Sequence, residues 1–279
     1  MKKKLLAILL AVGVLLTLCP AALAADVPAD AIAGAQKYLL ESLPRGTSGG
    51  AADHVMFTLV RSGAALPEGY ALQYYESVTA ELAENGSPAG RGRSGEFARA
   101  ALALRAMGKD PTNVCGQDLL TALADFDACA QTGLPGVLTA LRTLDCADYD
   151  IPSVDGVATP ATRELYLSTI LNAQLPDGGW ALHGGKADAA TTASVLQALA
   201  RYRDQQQVAN AVALGVERLS ALQEADGGYT AWAVPSSEPT AQVLLALCAL
   251  DIAVDDDRFT KNGATALDKL LTYQDESGG

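Results

Sequence analysis

Three glutamines recur at a spacing that governs everything else in this chain. Gln174, Gln223 and Gln274 each close a segment of helical periodicity, and each is followed within a few residues by Gly-Gly (Gly178-Gly179, Gly227-Gly228, Gly278-Gly279). The separations are 49 and 51 residues. A period of that length marks a supersecondary unit that cannot bury its apolar face alone and must stack against copies of itself.

Two kinds of helix alternate around these phrases. Before the glutamines, Val212, Val216 and Leu219 fall at i, i+4 and i+7, and Leu267, Leu270 and Leu271 at i, i+3 and i+4, while Glu217, Arg218, Asp268 and Lys269 occupy the rest of the turn. Such helices have one wet face. After each Gly-Gly, "TTASVLQALARY" and "TAQVLLALCAL" are rich in Ala and Leu and almost free of charge, so they must be enclosed on all sides. Weaker copies fill the first half. "AIAGAQKYLLES", "YYESVTAELAEN" and "CGQDLLTALADFD" read as wet helices, and "DHVMFTLVRSG", "GEFARAALALRAMG" and "LPGVLTALRTL" as buried ones. "YDIPSVDGVATPAT" reads as an inserted loop between repeats. Strand-type alternation is absent, and with aromatics at 5% of the residues, close helix packing through alanine is the expected core.

The expectation is one all-α domain over residues 25–279, with about six outer and five inner helices. A ring with the apolar helices inside shields them better than an open solenoid, which leaves one flank of each helix pair exposed. The chain stops at "QDESGG", where a sixth buried helix is due, so the ring is incomplete or the chain continues.

The first residues point to export. Lys2, Lys3 and Lys4 precede an apolar run from Leu5 to about Leu18 and an Ala22-Leu23-Ala24 cleavage site, a secretory signal peptide over 1–24. Leu18 before Cys19 argues against a lipid anchor, which wants a small residue there. No later segment has the ~18 uninterrupted apolar residues of a membrane span. The expected location is secreted or cell-surface, without membrane insertion after cleavage. The chain carries a net charge of −12, and cleavage removes three lysines and no acid. Such a body repels phosphate backbones, so nucleic acid is not an expected partner. Cys115, Cys129, Cys146 and Cys248 match no small disulfide scaffold and are read as buried free thiols, with one bridge among Cys115, Cys129 and Cys146 as the alternative that export permits.

"QLPDGGW" and "QEADGGY" resemble the Q-x-x-x-G-x-W core of the QW repeats in squalene-hopene cyclases. Chains with prenyltransferase and squalene oxidase repeats, including exported bacterial ones, share it. The resemblance is clear over 160–279 and rests on helix pattern alone over 30–150. It implies an α/α toroid, a fold class shared with prenyltransferase β-subunits, complement thioester domains and cobalamin carriers. The repeat motif then comprises Gln174, Asp177, Gly178, Gly179, Gln223, Asp226, Gly227, Gly228, Tyr229 and Gln274, read as a structural joint. The aspartates, including Asp255, Asp256 and Asp257, lack the spacing of a calcium loop.

Catalytic positions carried over from the family are not filled. Matching Thr192-Ala193 to the end of the cyclase D-x-D-D-T-A motif puts Ala190 at the proton-donating position, and a methyl group donates no proton. In the next repeat that position is Glu238, the one outside catalytic candidate, which reads more simply as a carboxylate in the first turn of a helix beside Pro239. The zinc site of a prenyltransferase has no ligand set here, since only His54 and His183 are present. Cys115 and Gln117 are one residue too close for a thioester. No metal and no cofactor are expected. Trp180, His183, Asp188, Trp232, Ser236, Ser237 and Glu238 lie on loops entering the buried helices and form the expected rim of the ring's mouth, for an unidentified small molecule, glycan or protein. The leading reading is a non-catalytic binding module. The alternatives are a divergent isoprenoid cyclase or transferase and an architectural segment of a larger cell-surface protein.

Overall fold

The computed structural model describes residues 27–42, 47–86, 88, 93–275 and 277–279, and the expected signal peptide lies outside them. Among the described residues the chain is all-α in class. Its helices are α1 (Ala29–Ser42), α2 (Ala51–Arg61), α3 (Tyr70–Asn85), α4 (Ser94–Ala106), α5 (Phe126–Ala130), α6 (Leu134–Asp145), α7 (Arg163–Asn172), α8 (Ala189–Leu199), α9 (Gln206–Leu222), α10 (Ser237–Ala249) and α11 (Ala266–Leu271). Strands β1 (Tyr229–Ala231) and β2 (Val234–Ser236) form one antiparallel hairpin before α10. No described helix is long and apolar enough to cross a membrane.

The sequence pattern accounts for which helices are enclosed. In α9, Val208, Ala211, Val212, Gly215, Val216 and Leu219 are buried along one stripe. α10 instead buries every residue from Val243 to Cys248. α4, α6 and α8 bury mostly Ala, Leu and Val, whereas α2 buries Asp53, Val55, Met56, Thr58 and Leu59.

The chain folds as two compact units, residues up to Glu41 with Ala173–Gly279, and Ser42–Asn172. Within Ser42–Asn172, α2 packs on α4, α4 on α6, and α6 on α5 and α7. In the other unit α8 packs on α10 and on α9, and α10 on α11. The α8–α10 pair is parallel. Gln197 Nε2 donates to the Gln242 carbonyl (3.2 Å) and side-chain oxygen (3.0 Å) within the helices, while beyond their ends Arg203 donates to Leu250 O (2.9 Å) and to Asp251 (3.1 Å). Partners that keep a near-constant sequence offset from one end to the other require parallel axes. The loops entering α8 and α10 therefore lie at the same end.

The structure departs from the sequence reading in three places. "CGQDLLTALADFD" is not one wet helix but a 3-10 turn, Leu119–Leu123, followed by the short α5. Asp118 accepts from Leu120 N–H, and Asp125 from Asp127 and Ala128 N–H, so each aspartate restarts the backbone. The inserted loop returns to that segment, where Phe126 N–H donates to Thr159 O (3.0 Å) and Ala161 N–H to Ala124 O (2.8 Å). The β1–β2 hairpin has no counterpart in the sequence reading. Of the cysteines, Cys129 is a buried free thiol, Cys115 and Cys146 are free but exposed, and Cys248 is buried and disulfide-bonded rather than a free thiol.

The three glutamines make one joint three times. Gln174 Nε2 donates to Gly178 O (2.8 Å) and Ala211 O (2.9 Å), Gln223 Nε2 to Gly227 O (2.9 Å) and Phe259 O (2.8 Å), and Gln274 Nε2 to Gly278 O (3.1 Å) and Ala31 O (2.9 Å). Each carboxamide thus ties its own loop to a neighbouring segment, and the last returns to α1. The first glycine of each loop is required by contact as well as by conformation. Gly178, Gly227 and Gly278 have φ of 87°, 82° and 88°. A Cβ at Gly227 would collide with the Thr265 carbonyl, one at Gly278 with the Gly34 carbonyl, and one at Gly178 would stand 3.0 Å from Leu214 O. Gly227→Ala is expected to cost about 3 kcal/mol or more, the left-handed strain of roughly 1–2 kcal/mol plus the collision. Gly116→Ala, at φ 80° with open space around it, should lose only the strain. Urea unfolding of the two variants side by side measures the difference, and equal losses would show that the joint is loose.

Candidate functional site

The site expected at the mouth of the buried helices is built from the two loops entering α8 and α10. Both begin with an aspartate that orders the glycine turn. Asp177 accepts from Gly179 N–H (3.3 Å) and Ala187 N–H (3.2 Å) and pairs with Arg218 of α9 (3.2 Å). Asp226 accepts from Gly228 N–H (3.1 Å) and pairs with Lys269 of α11 (2.8 Å). The Lys269 ammonium, with the Gly228 amide, holds the Asp226 carboxyl below its ordinary range.

Next in each loop comes the aromatic residue, and here the structure removes one residue from the expected rim. Trp180 is fully buried, its ring packed over Gly215 of α9, and its backbone N–H donates to Thr192 Oγ1 (3.0 Å). It is core, out of a ligand's reach at the surface. Tyr229 is enclosed in the same way, with its N–H on Thr240 Oγ1 (3.1 Å), and burial raises its phenol pKa. Thr192 and Thr240 are themselves fully buried, and their hydroxyls donate onward to Trp180 O (3.1 Å) and Ser236 O (2.8 Å). The sequence reading does not single out either threonine for this role. The signal for it is the Thr-Ala pair recurring at 192 and 240, which the cyclase register absorbs.

The remaining rim residues separate into buried and open ones. Asp188 caps α8, accepting from Thr191 N–H (2.7 Å) and from Leu182 N–H (3.2 Å). Ser236 and Ser237 are buried at the start of α10, whereas Glu238 is exposed in its first turn, where a carboxylate meets the positive end of the helix. His183 is exposed.

Trp232 stands at the other extreme from Trp180, 88% exposed at the tip of the β1–β2 hairpin. Trp232 and Ala233 have φ of 54° and 60°, the conformation for which two-residue hairpin turns select Asn-Gly. Val234 beside it and Leu182 on the neighbouring loop are also about half exposed. Because α8 and α10 are parallel, the end of this unit carries Trp232, Val234, Leu182, His183 and Glu238 together, with Asp188 partly exposed beneath.

Comparison with known proteins adds nothing to this geometry: no known family matches the chain, and no curated protein is significantly similar to it.

Thr240→Val keeps the shape of the joint but leaves the Tyr229 N–H without a partner. A loss of about 1–3 kcal/mol is expected, largely recovered in Thr240→Ser. Chemical denaturation of both variants is the check, and a valine variant as stable as the wild type would exclude this role.

Proposed function

We propose that the chain is an exported, non-catalytic α/α toroid module of the prenyltransferase and squalene oxidase repeat type. It binds a glycan, small molecule or protein through the end that carries the hairpin. The toroid reading draws on the alternation of enclosed and one-faced helices and on Gln274, which joins the last loop to Ala31 in the first helix.

The binding reading rests on Trp232. An indole left 88% open on a hairpin whose two turn residues both adopt left-handed φ costs stability twice, through the exposed apolar surface and through the strained turn. Neither cost is repaid within the fold. An aromatic plane at the same end of the unit as His183, Glu238 and partly exposed Asp188 has the make-up of a sugar-stacking surface with hydroxyl-binding groups nearby. Exposure of Glu238 favours binding over isoprenoid cyclisation, because an acid that protonates an alkene needs enclosure to hold its proton.

The two tryptophans make the test direct. With Trp180 sealed in the core, emission changes on adding soluble oligosaccharides report Trp232. Trp232→Ala is expected to weaken binding tenfold or more while shifting unfolding free energy by about 0.5 kcal/mol or less. Undiminished binding by that variant would overturn the reading. A wild-type emission spectrum unmoved by the oligosaccharides would turn it towards a protein partner or an architectural role.

A further inference from the structure

Helices α8 and α10 are enclosed except along one narrow stripe each, and both stripes are polar. On α8, the residues left open between Thr191 and Leu199 are Thr191, Ser194 and Gln197, at i, i+3 and i+6. On α10, between Ser237 and Cys248, they are Glu238 and Gln242, at i and i+4. Each set lies on one face of its helix.

Hydrogen bonds join the two stripes side by side. Gln197 Nε2 donates to the Gln242 backbone carbonyl (3.2 Å) and to Gln242 Oε1 (3.0 Å), and Ser194 Oγ donates to the same Oε1 (3.4 Å). A backbone carbonyl can only accept, so the amino end of Gln197 must face it. That in turn turns the oxygen of Gln242 towards Gln197 and its amino group away. Each carboxamide therefore has one end engaged and one end spare. The spare atoms are an acceptor, Gln197 Oε1, and a donor, Gln242 Nε2. Neither has a hydrogen-bond partner among the described residues, and both residues are only half-buried.

A spare acceptor and a spare donor on adjoining side chains complement a group that itself carries one of each. A secondary amide is such a group, and it is uncharged, as the paired carboxamides are. The stripes also lead somewhere. Glu238 stands one helical turn before Gln242 on the same face, in the first turn of α10, and Thr191 lies in the first turn of α8. Both first turns belong to the end that carries the hairpin, because α8 and α10 are parallel. A ligand held at that end can extend along the seam to the carboxamides.

We propose that the seam between α8 and α10 reads the acetamido group of an N-acetylated sugar. The acetamido carbonyl accepts from Gln242 Nε2 and its N–H donates to Gln197 Oε1, while Thr191 and Glu238, nearer the hairpin, take ring hydroxyls. This deepens the sugar-binding reading of the hairpin end and rests on it.

The test is calorimetric titration of the purified chain with two neutral trisaccharides, cellotriose and its counterpart in which each ring carries an acetamido group in place of a hydroxyl. The acetylated sugar is expected to bind about tenfold more tightly, the worth of two hydrogen bonds. Gln242→Glu keeps the oxygen that Gln197 and Ser194 use and removes the spare donor. It should abolish most of the preference while leaving cellotriose affinity and the thermal melt unchanged. Gln242→Met, which cannot donate either, should do the same without adding a charge. Trp232→Ala should weaken both sugars alike, which separates the hairpin from the seam. Equal affinity of the wild type for the two sugars, or a preference that survives both Gln242 variants, would overturn the seam assignment and leave the hairpin reading standing. Binding of neither sugar would overturn both. A blocked dipeptide should fail to compete with the acetylated sugar, and competition at equal concentration would assign the seam to a peptide instead.

Discussion

Each repeat is held to the next by one carboxamide that donates twice, to a glycine carbonyl in its own loop and to a carbonyl of a different segment. A hydrogen bond of this kind contributes only about 1 kcal/mol net, yet leaving the two carbonyls enclosed without donors would cost more. The other parts of the joint follow from that pairing. The loop must turn tightly enough to present its carbonyl, which demands positive φ, and its backbone must approach the neighbouring segment more closely than a Cβ permits. Glutamine and glycine are thus two halves of one constraint.

Beyond the glycines, the two C-terminal loops share a second layer, an aromatic residue sealed beneath the turn and a threonine that takes its backbone N–H. With that layer satisfied, the residues that follow are free to differ. One loop runs past His183 to the Asp188 cap, whereas the other rises into a hairpin that lifts Trp232 into solvent. A rigid joint with a variable crest is a physical basis for placing recognition on these loops.

Charge is distributed by the same logic. At the joints, basic residues are matched to acids, Arg218 with Asp177 and Lys269 with Asp226.

How much of this was legible in the sequence depends on the range of the interaction. Helical periodicity is local, so the five buried helices and most of the wet-faced ones could be read from which turns carry charge, and Glu238 could be placed in a first turn beside Pro239. The 49- and 51-residue spacing identified the joint, because the same Gln and Gly-Gly recur wherever the same contact is made. Where two local signals competed, the reading failed: the aspartates at 118 and 125 broke an apparently continuous helix into two short turns. Only tertiary structure decided that Trp180 is sealed while Trp232 is open, since a loop aromatic looks the same in sequence whether or not a neighbouring helix offers a glycine such as Gly215 to receive it.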